Sequence, residues 1–133
     1  MIEPFIMLRG QAAEALDYYE KVFDGTNKRI VRWGDAPAEP DYPVDETKKN
    51  WVMTGSIQLH GTTVSISDWD KEYRISYFVS LLLHCETPEE LIRLCDELQK
   101  GGRVWMKPEP KFDVQMYAWV QDRYGVSWHL ICA

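Results

Sequence analysis

The sequence predicts an α+β fold made of two βαβββ units. Three observations point there: an order of elements that repeats along the chain, two amphipathic helices in register, and an ordinary globular composition. EALDYYEKVFDG (14–25) lies over ELIRLCDELQKG (90–101) without a gap, and each segment ends in glycine before a strand pattern. One helix on one small sheet would leave an apolar face bare, so the halves must pack together or exchange with a partner chain. The half-units run over 4–68 and 78–132, within a single domain of 1–133.

EPFIMLR (3–9) is an apolar run suited to a strand. From Gln11 to Phe23 the period changes: Ala12, Ala15, Leu16, Tyr19, Val22 and Phe23 fall at helical spacing, and Gly25 supplies a stop. KRIVRWG (28–34) reads as the next strand. GDAPAEPDYPVDETKKN (34–50) has no apolar period and three prolines, so it is a long loop, either a solvated face or a lid over a pocket. WVMTGSIQLHGTTVSISD (51–68) is a hairpin turning at His60-Gly61, where glycine allows a positive φ.

ISYFVSLLLHC (75–85) is apolar enough for a central strand. Thr87 then caps a second helix, with Pro88 in the first turn and Glu90 reaching back to complete a capping box. Leu91, Leu94, Cys95 and Leu98 form its buried stripe, and Gly101-Gly102 end it. RVWMKP (103–108), VQMYAWVQD (114–122) and VSWHLIC (126–132) supply the last three strands.

Composition excludes several classes. The 133 residues are 45% hydrophobic and 27% charged, with a net charge of −6. That balance gives no electrostatic reason to approach nucleic acid or an anionic membrane. No run of eighteen apolar residues and no leader pattern is present. Cys85, Cys95 and Cys132 are odd in number and form no CxxC, as expected of reduced, buried thiols in a cytoplasmic protein.

Several stretches carry a family resemblance. PFIMLRGQAAEALDYYEKVFDG (4–25), RWGDAP (32–37), ELQKGGRVWMKP (97–108) and QDRYGVSWHLI (121–131) resemble the PhnB-like branch of the vicinal oxygen chelate superfamily. That branch is often labelled 3-demethylubiquinone-9 3-methyltransferase-like. The superfamily includes glyoxalase I, extradiol dioxygenases and bleomycin-resistance proteins. The resemblance implies an incomplete barrel of two βαβββ units, and a homodimer.

It also implies where a metal would sit, on the first and last strand of each unit. Those positions fall at Pro4 or Phe5, Ser65, Ser80 and His129. Only His129 is an ordinary ligand, and a tight site wants three or four nitrogen, sulfur or charged oxygen donors. The expectation is therefore no metal and no cofactor. His84 lies roughly 13 Å along the strand from Ser80, too far to complete the set. It reads as a strand-end residue, and His60 as a solvated turn residue.

Other chemistries fit poorly. Cys85 and His84, like Cys132 and His129, have opposite strand parity, and no GxSxG elbow is present. No glycine-rich strand-to-helix turn offers a cradle for a nucleotide-like cofactor. What remains is a pocket for a small molecule. Gln115, Tyr117, Trp119 and Gln121 share one face of their strand, and Ser127 and His129 share one face of the last. Tyr117 and Trp119 either line that pocket or pack against a helix or another subunit. Asp122-Arg123-Tyr124-Gly125 resembles a family turn and is expected to be structural.

Two functions are compatible with these residues. One is a metal-independent small-molecule-binding protein, with Ser65, Ser80, Tyr117, Trp119 and Ser127 in the pocket and His129 as its hydrogen-bonding or acid–base group. The other is a lyase, isomerase or dioxygenase using a divalent metal at His129.

Overall fold

The apolar stripe of the first helix decides which way the first unit closes. In the computed structural model, which describes residues 1–133, Ala12, Ala15, Leu16, Tyr19, Val22 and Phe23 are all buried along α1 (Ala12–Phe23). The helix lies against β3 (Val52–Leu59) and β4 (Thr62–Asp68), which pair with β1 (Phe5–Leu8) and β2 (Thr26–Arg32) in the order β1-β4-β3-β2. Only β1 and β4 run parallel. Close approach of helix to sheet rests on Gly55, where an added Cβ would come within 2.4 Å of the Ile66 carbonyl and 2.7 Å of Leu16.

The second unit repeats that topology. Strands β5 (Leu81–His84), β6 (Arg103–Lys111), β7 (Val114–Gln121) and β8 (Ser127–Cys132) pair in the order β5-β8-β7-β6, with β5 and β8 parallel. Helix α2 (Pro88–Leu98) buries Leu91, Leu94, Cys95 and Leu98 against β7 and β8. The chain thus forms two βαβββ units, Met1–Glu72 and Tyr73–Ala133.

Four local expectations change. Residues 75–80 form no strand: β5 begins only at Leu81, and Ile75, Tyr77, Phe78 and Val79 are all exposed. An apolar run alone does not make a ladder without a paired neighbour. At the end of α1 the left-handed residue is Asp24 (φ 52°) rather than Gly25, whose N–H instead donates to the Glu20 carbonyl. The capping box is displaced by one residue: Thr87 Oγ1 accepts from Glu90 N–H, but the Glu90 carboxylate accepts from Glu86 N–H. Strand β6 extends to Lys111, with Pro108 and Pro110 tolerated because it is an edge strand. The hairpin turns where expected, with His60 (φ 49°) and Gly61 (φ 83°) both positive, as a primed two-residue turn requires.

Each unit holds one buried aspartate. Asp68 Oδ1 accepts from Gly10 and Ala12 N–H, and its Oδ2 from Val52 N–H. This satisfies the start of α1, whose own capping residue, Gln11, makes no side-chain bond. Asp122 Oδ1 accepts from Tyr124 and Val126 N–H, and its Oδ2 from Trp128 Nε1–H. Replacing Asp122 with Ala leaves buried donors unbonded and is expected to cost about 3 kcal/mol. Urea unfolding measures this as a lowered midpoint at unchanged slope. Asp70→Ala, which removes an exposed carboxylate, should leave the midpoint close to wild type.

Candidate functional site

Strand alternation sorts the side chains of β7 and β8. Ala118, Val120, Trp128, Leu130 and Cys132 are buried on the side facing α2. Tyr117, Trp119, Ser127 and His129 point to the opposite face, so the two aromatics of β7 do not pack on the helix. The antiparallel register sets Trp119 beside His129 and Gln121 beside Ser127.

On that face the rings stand like slices across the sheet. His129 stacks on Trp119 at 5.0 Å between centroids and 14° between planes, and Trp119 stacks on Trp105 of β6 at 5.5 Å and 28°. The Arg103 guanidinium lies over Trp105, 3.9 Å from its ring centroid. Tyr77, from the irregular segment before β5, sets its ring 5.2 Å from Trp105 and 5.3 Å from Trp119. Trp105 Nε1 is buried and has no hydrogen-bond partner.

Polar groups run alongside the stack. Trp119 Nε1–H donates to Ser127 Oγ at 2.9 Å, and Ser80 and Ser127 hydroxyls bond at 2.7 Å. The Tyr117 hydroxyl bonds His129 Nδ1. Burial lowers the His129 pKa from 6.5 and raises that of Tyr117 from 10.0. Near neutral pH both groups are therefore uncharged, and one hydrogen joins them. With Tyr117 as donor, Nε2 of His129 carries the ring hydrogen and donates. With the imidazole as donor, Nε2 offers a lone pair.

Five of the six expected site residues, Ser80, Tyr117, Trp119, Ser127 and His129, thus share one network in the second unit. Ser65 lies in the first unit, opposite Phe5 and Ser56, where its hydroxyl donates to Glu3 Oε2 at 3.1 Å. Sequence reasoning missed Trp105, Tyr77 and Arg103. The register of β6 shifts on both sides of Met106, which breaks the alternation that would have placed Trp105. Tyr77 sits in a run that resembles a strand and is not one.

The residues present do not fit a divalent metal. Ser80 and Ser127 are bonded to each other, Phe5 has no donor, and no three His, Cys, Asp or Glu side chains gather to hold an ion. His84 is exposed and level with Ile131, not with His129. A thiol nucleophile is no better supported, since burial pushes Cys85 up to about 12.

The 34–50 loop packs within the first unit. Trp33, Tyr42 and Trp69 pack with centroids 5.1 to 5.4 Å apart, and Tyr42 Oη accepts from Asp70 N–H. Asp70 in turn bonds Lys48 and Arg9, which hold its carboxyl below the usual range. Cavities of about 190 and 400 Å3 border this loop, with Trp33, Pro43 and Val44 common to both.

Comparison with known proteins adds a family. The 3-demethylubiquinone-9 3-methyltransferase family model matches residues 1–131. A Bacillus cereus structure described as a putative 3-demethylubiquinone-9 3-methyltransferase, PhnB protein, is 26% identical. It covers 99% of this chain and 98% of its own, at a TM-score of 0.81. A Pseudomonas aeruginosa protein is 27% identical over 99% and 96%, at a TM-score of 0.87. The fosfomycin resistance protein FosX of Listeria monocytogenes shares the fold at 10% identity over 98% and 91%, with a TM-score of 0.67. No curated protein matches the chain.

The depressed basicity of His129 predicts a sign for the pH dependence. Its neutral form is favoured in the folded state, so the stability it contributes is present above pH 6.5 and falls as the pH drops through the lower folded value. In an NMR titration the His129 Cε1 proton should move with a midpoint below 6.5. In urea unfolding, wild type should lose more stability than His129→Gln between neutral pH and that midpoint.

Proposed function

We propose a binding function for this chain, which belongs to the 3-demethylubiquinone-9 3-methyltransferase family of PhnB-like vicinal oxygen chelate proteins: it takes a small molecule on the face of its second sheet without using a metal. The observation that carries this reading is the row Trp105–Trp119–His129, stacked rings ending in an imidazole with a hydrogen-bonding edge. Binding sites are commonly of this kind, mostly aromatic with a few fixed polar groups. Tyr117 orients His129, so Nε2 is the polar group offered to the ligand, as donor or acceptor. Ser80 and Ser127 are positioning residues, because their bond and the one from Trp119 Nε1 lock the indole in place.

Methyl transfer, the activity in the family description, finds little support in the chain itself. The turn from β1 to α1, Arg9-Gly10-Gln11, has one glycine and no cradle for a nucleotide-like cofactor. The alternative, a metal-dependent lyase, isomerase or dioxygenase, rests on the position of His129 on the last strand. It needs donors that the neighbouring side chains do not supply. The proposal also includes a homodimer, in keeping with the exposed Ile75, Tyr77, Phe78 and Val79. A cytoplasmic setting accords with three free, buried cysteines.

The test has two arms. Metal analysis of the purified protein, then titration with Zn2+ and Mn2+, should give no stoichiometric ion in wild type or His129→Ala. A stoichiometric ion that the variant loses would replace this reading with the metal-dependent one. In a thermal-shift screen of small aromatic and aliphatic compounds, Trp119→Ala should weaken any hit by roughly tenfold, the scale of a lost aromatic contact. Hits indifferent to Trp119 and His129 would place binding elsewhere.

A further inference from the structure

The row of rings stops one strand short of the edge of the sheet. Strand order places β8 between β7 and β5, so the slices run from Trp105 through Trp119 to His129, and the next position belongs to β5. That position is Leu82, in register with His129 on the parallel ladder and 56% exposed. Trp119 covers one face of the imidazole, and Tyr117 bonds its Nδ1 edge. The other face looks along the sheet over Leu82. Tyr77 covers the two indoles, not this place.

The spacing suits a further ring. Neighbouring strands lie about 4.8 Å apart, close to the 5.0 and 5.5 Å separations already present in the row. We propose that the ligand of this site is a planar, uncharged aromatic that stacks on the free face of His129 above Leu82 and continues the row by one slice.

The surroundings support both parts of that description. Leu82 gives an apolar floor. Arg103 lies over Trp105, the ring of the row most removed from His129. Glu109, which faces Tyr117, is already paired with Lys107 and Lys111. Of these two charges one lies over Trp105 and the other is paired with lysines, which favours a neutral ring over an ionised one at the open position. His84 flanks Leu82 on the same face by strand alternation, and Ser80 lies just before β5 with its hydroxyl bonded to Ser127. They and His129 Nε2 offer hydrogen bonds to a hydroxyl or ring nitrogen at the ligand's edge.

This inference rests on the proposed binding function and narrows it to one place and one ligand class. Calorimetric titration with 1-naphthol, and with its saturated analogue decahydro-1-naphthol as control, tests it. Wild type should prefer the aromatic probe by roughly three- to tenfold, the margin an aromatic contact gives over aliphatic burial. Leu82→Trp, which sets an indole in the open slice, should weaken 1-naphthol at least tenfold, while Leu82→Ala stays within about threefold of wild type. Far-UV circular dichroism checks that both variants fold.

If Trp119→Ala weakens 1-naphthol and Leu82→Trp does not, the ligand lies elsewhere on the wall; the inference falls and the binding function stands. If the saturated analogue binds as well as the aromatic one, the ligand class is wrong. If neither probe binds while other compounds give Trp119-dependent shifts, the inference falls alone. Hits that ignore Trp119 and His129 sink both.

Discussion

A carboxylate in a protein core must be surrounded by donors, and the donors gathered on Asp122 set the geometry of the second unit. Two backbone amides and one indole nitrogen converge on it, from Tyr124, Val126 and Trp128. These bonds fix the turn between β7 and β8, and so the register in which Trp119 meets His129 and Gln121 meets Ser127. A one-residue slip of β8 would carry His129 to the helix side and bring Trp128 out. The aromatic row exists only in the register that this buried carboxyl group holds. Asp68 does the corresponding work in the first unit, where it joins the start of α1 to β3 and closes the helix onto its sheet.

Much of the fold is legible in the sequence because helix and strand periods are written directly in residue type. Both helical stripes can be read to the residue, and the parities of β7 and β8 come from alternation alone. The failures share one cause: each depends on a partner that the local sequence does not name. Residues 75–80 have strand composition and no strand beside them. The end of α1 uses Asp24 where glycine is one position away, since a short polar side chain tolerates the left-handed region. The role of Asp68 in starting α1 cannot be read at all, because it lies 56 residues from the amide of Ala12 that it caps.

The candidate site divides along the same line. Ser80 enters by family position and joins the others through its bond to Ser127. Tyr117, Trp119, Ser127 and His129 are visible as a set because two strands with readable parity carry them. Trp105 is not, since shifts in the β6 register erase parity, and Tyr77 is not, since it comes from a segment without periodicity. Ser65 also enters by family position, and in the structure its hydroxyl is bonded to Glu3. Position in a family pattern and membership of a physical network are different kinds of evidence.

On the proposed reading, the serine at the family's fifth-strand metal position, Ser80, has a role of its own. A serine that merely replaced a ligand would leave a polar hole, and an unbonded buried hydroxyl is costly. Here Ser80 and Ser127 bond each other, and Ser127 also takes the indole hydrogen of Trp119. Ser80, at a family ligand position, thus helps Ser127 orient an aromatic ring. His129, instead of joining three other ligands, spends Nδ1 on Tyr117 and one ring face on Trp119. Placing a metal donor at Ser80 would break its bond to Ser127, the residue that holds the indole. On the proposed reading, metal binding and the aromatic wall compete for the same positions.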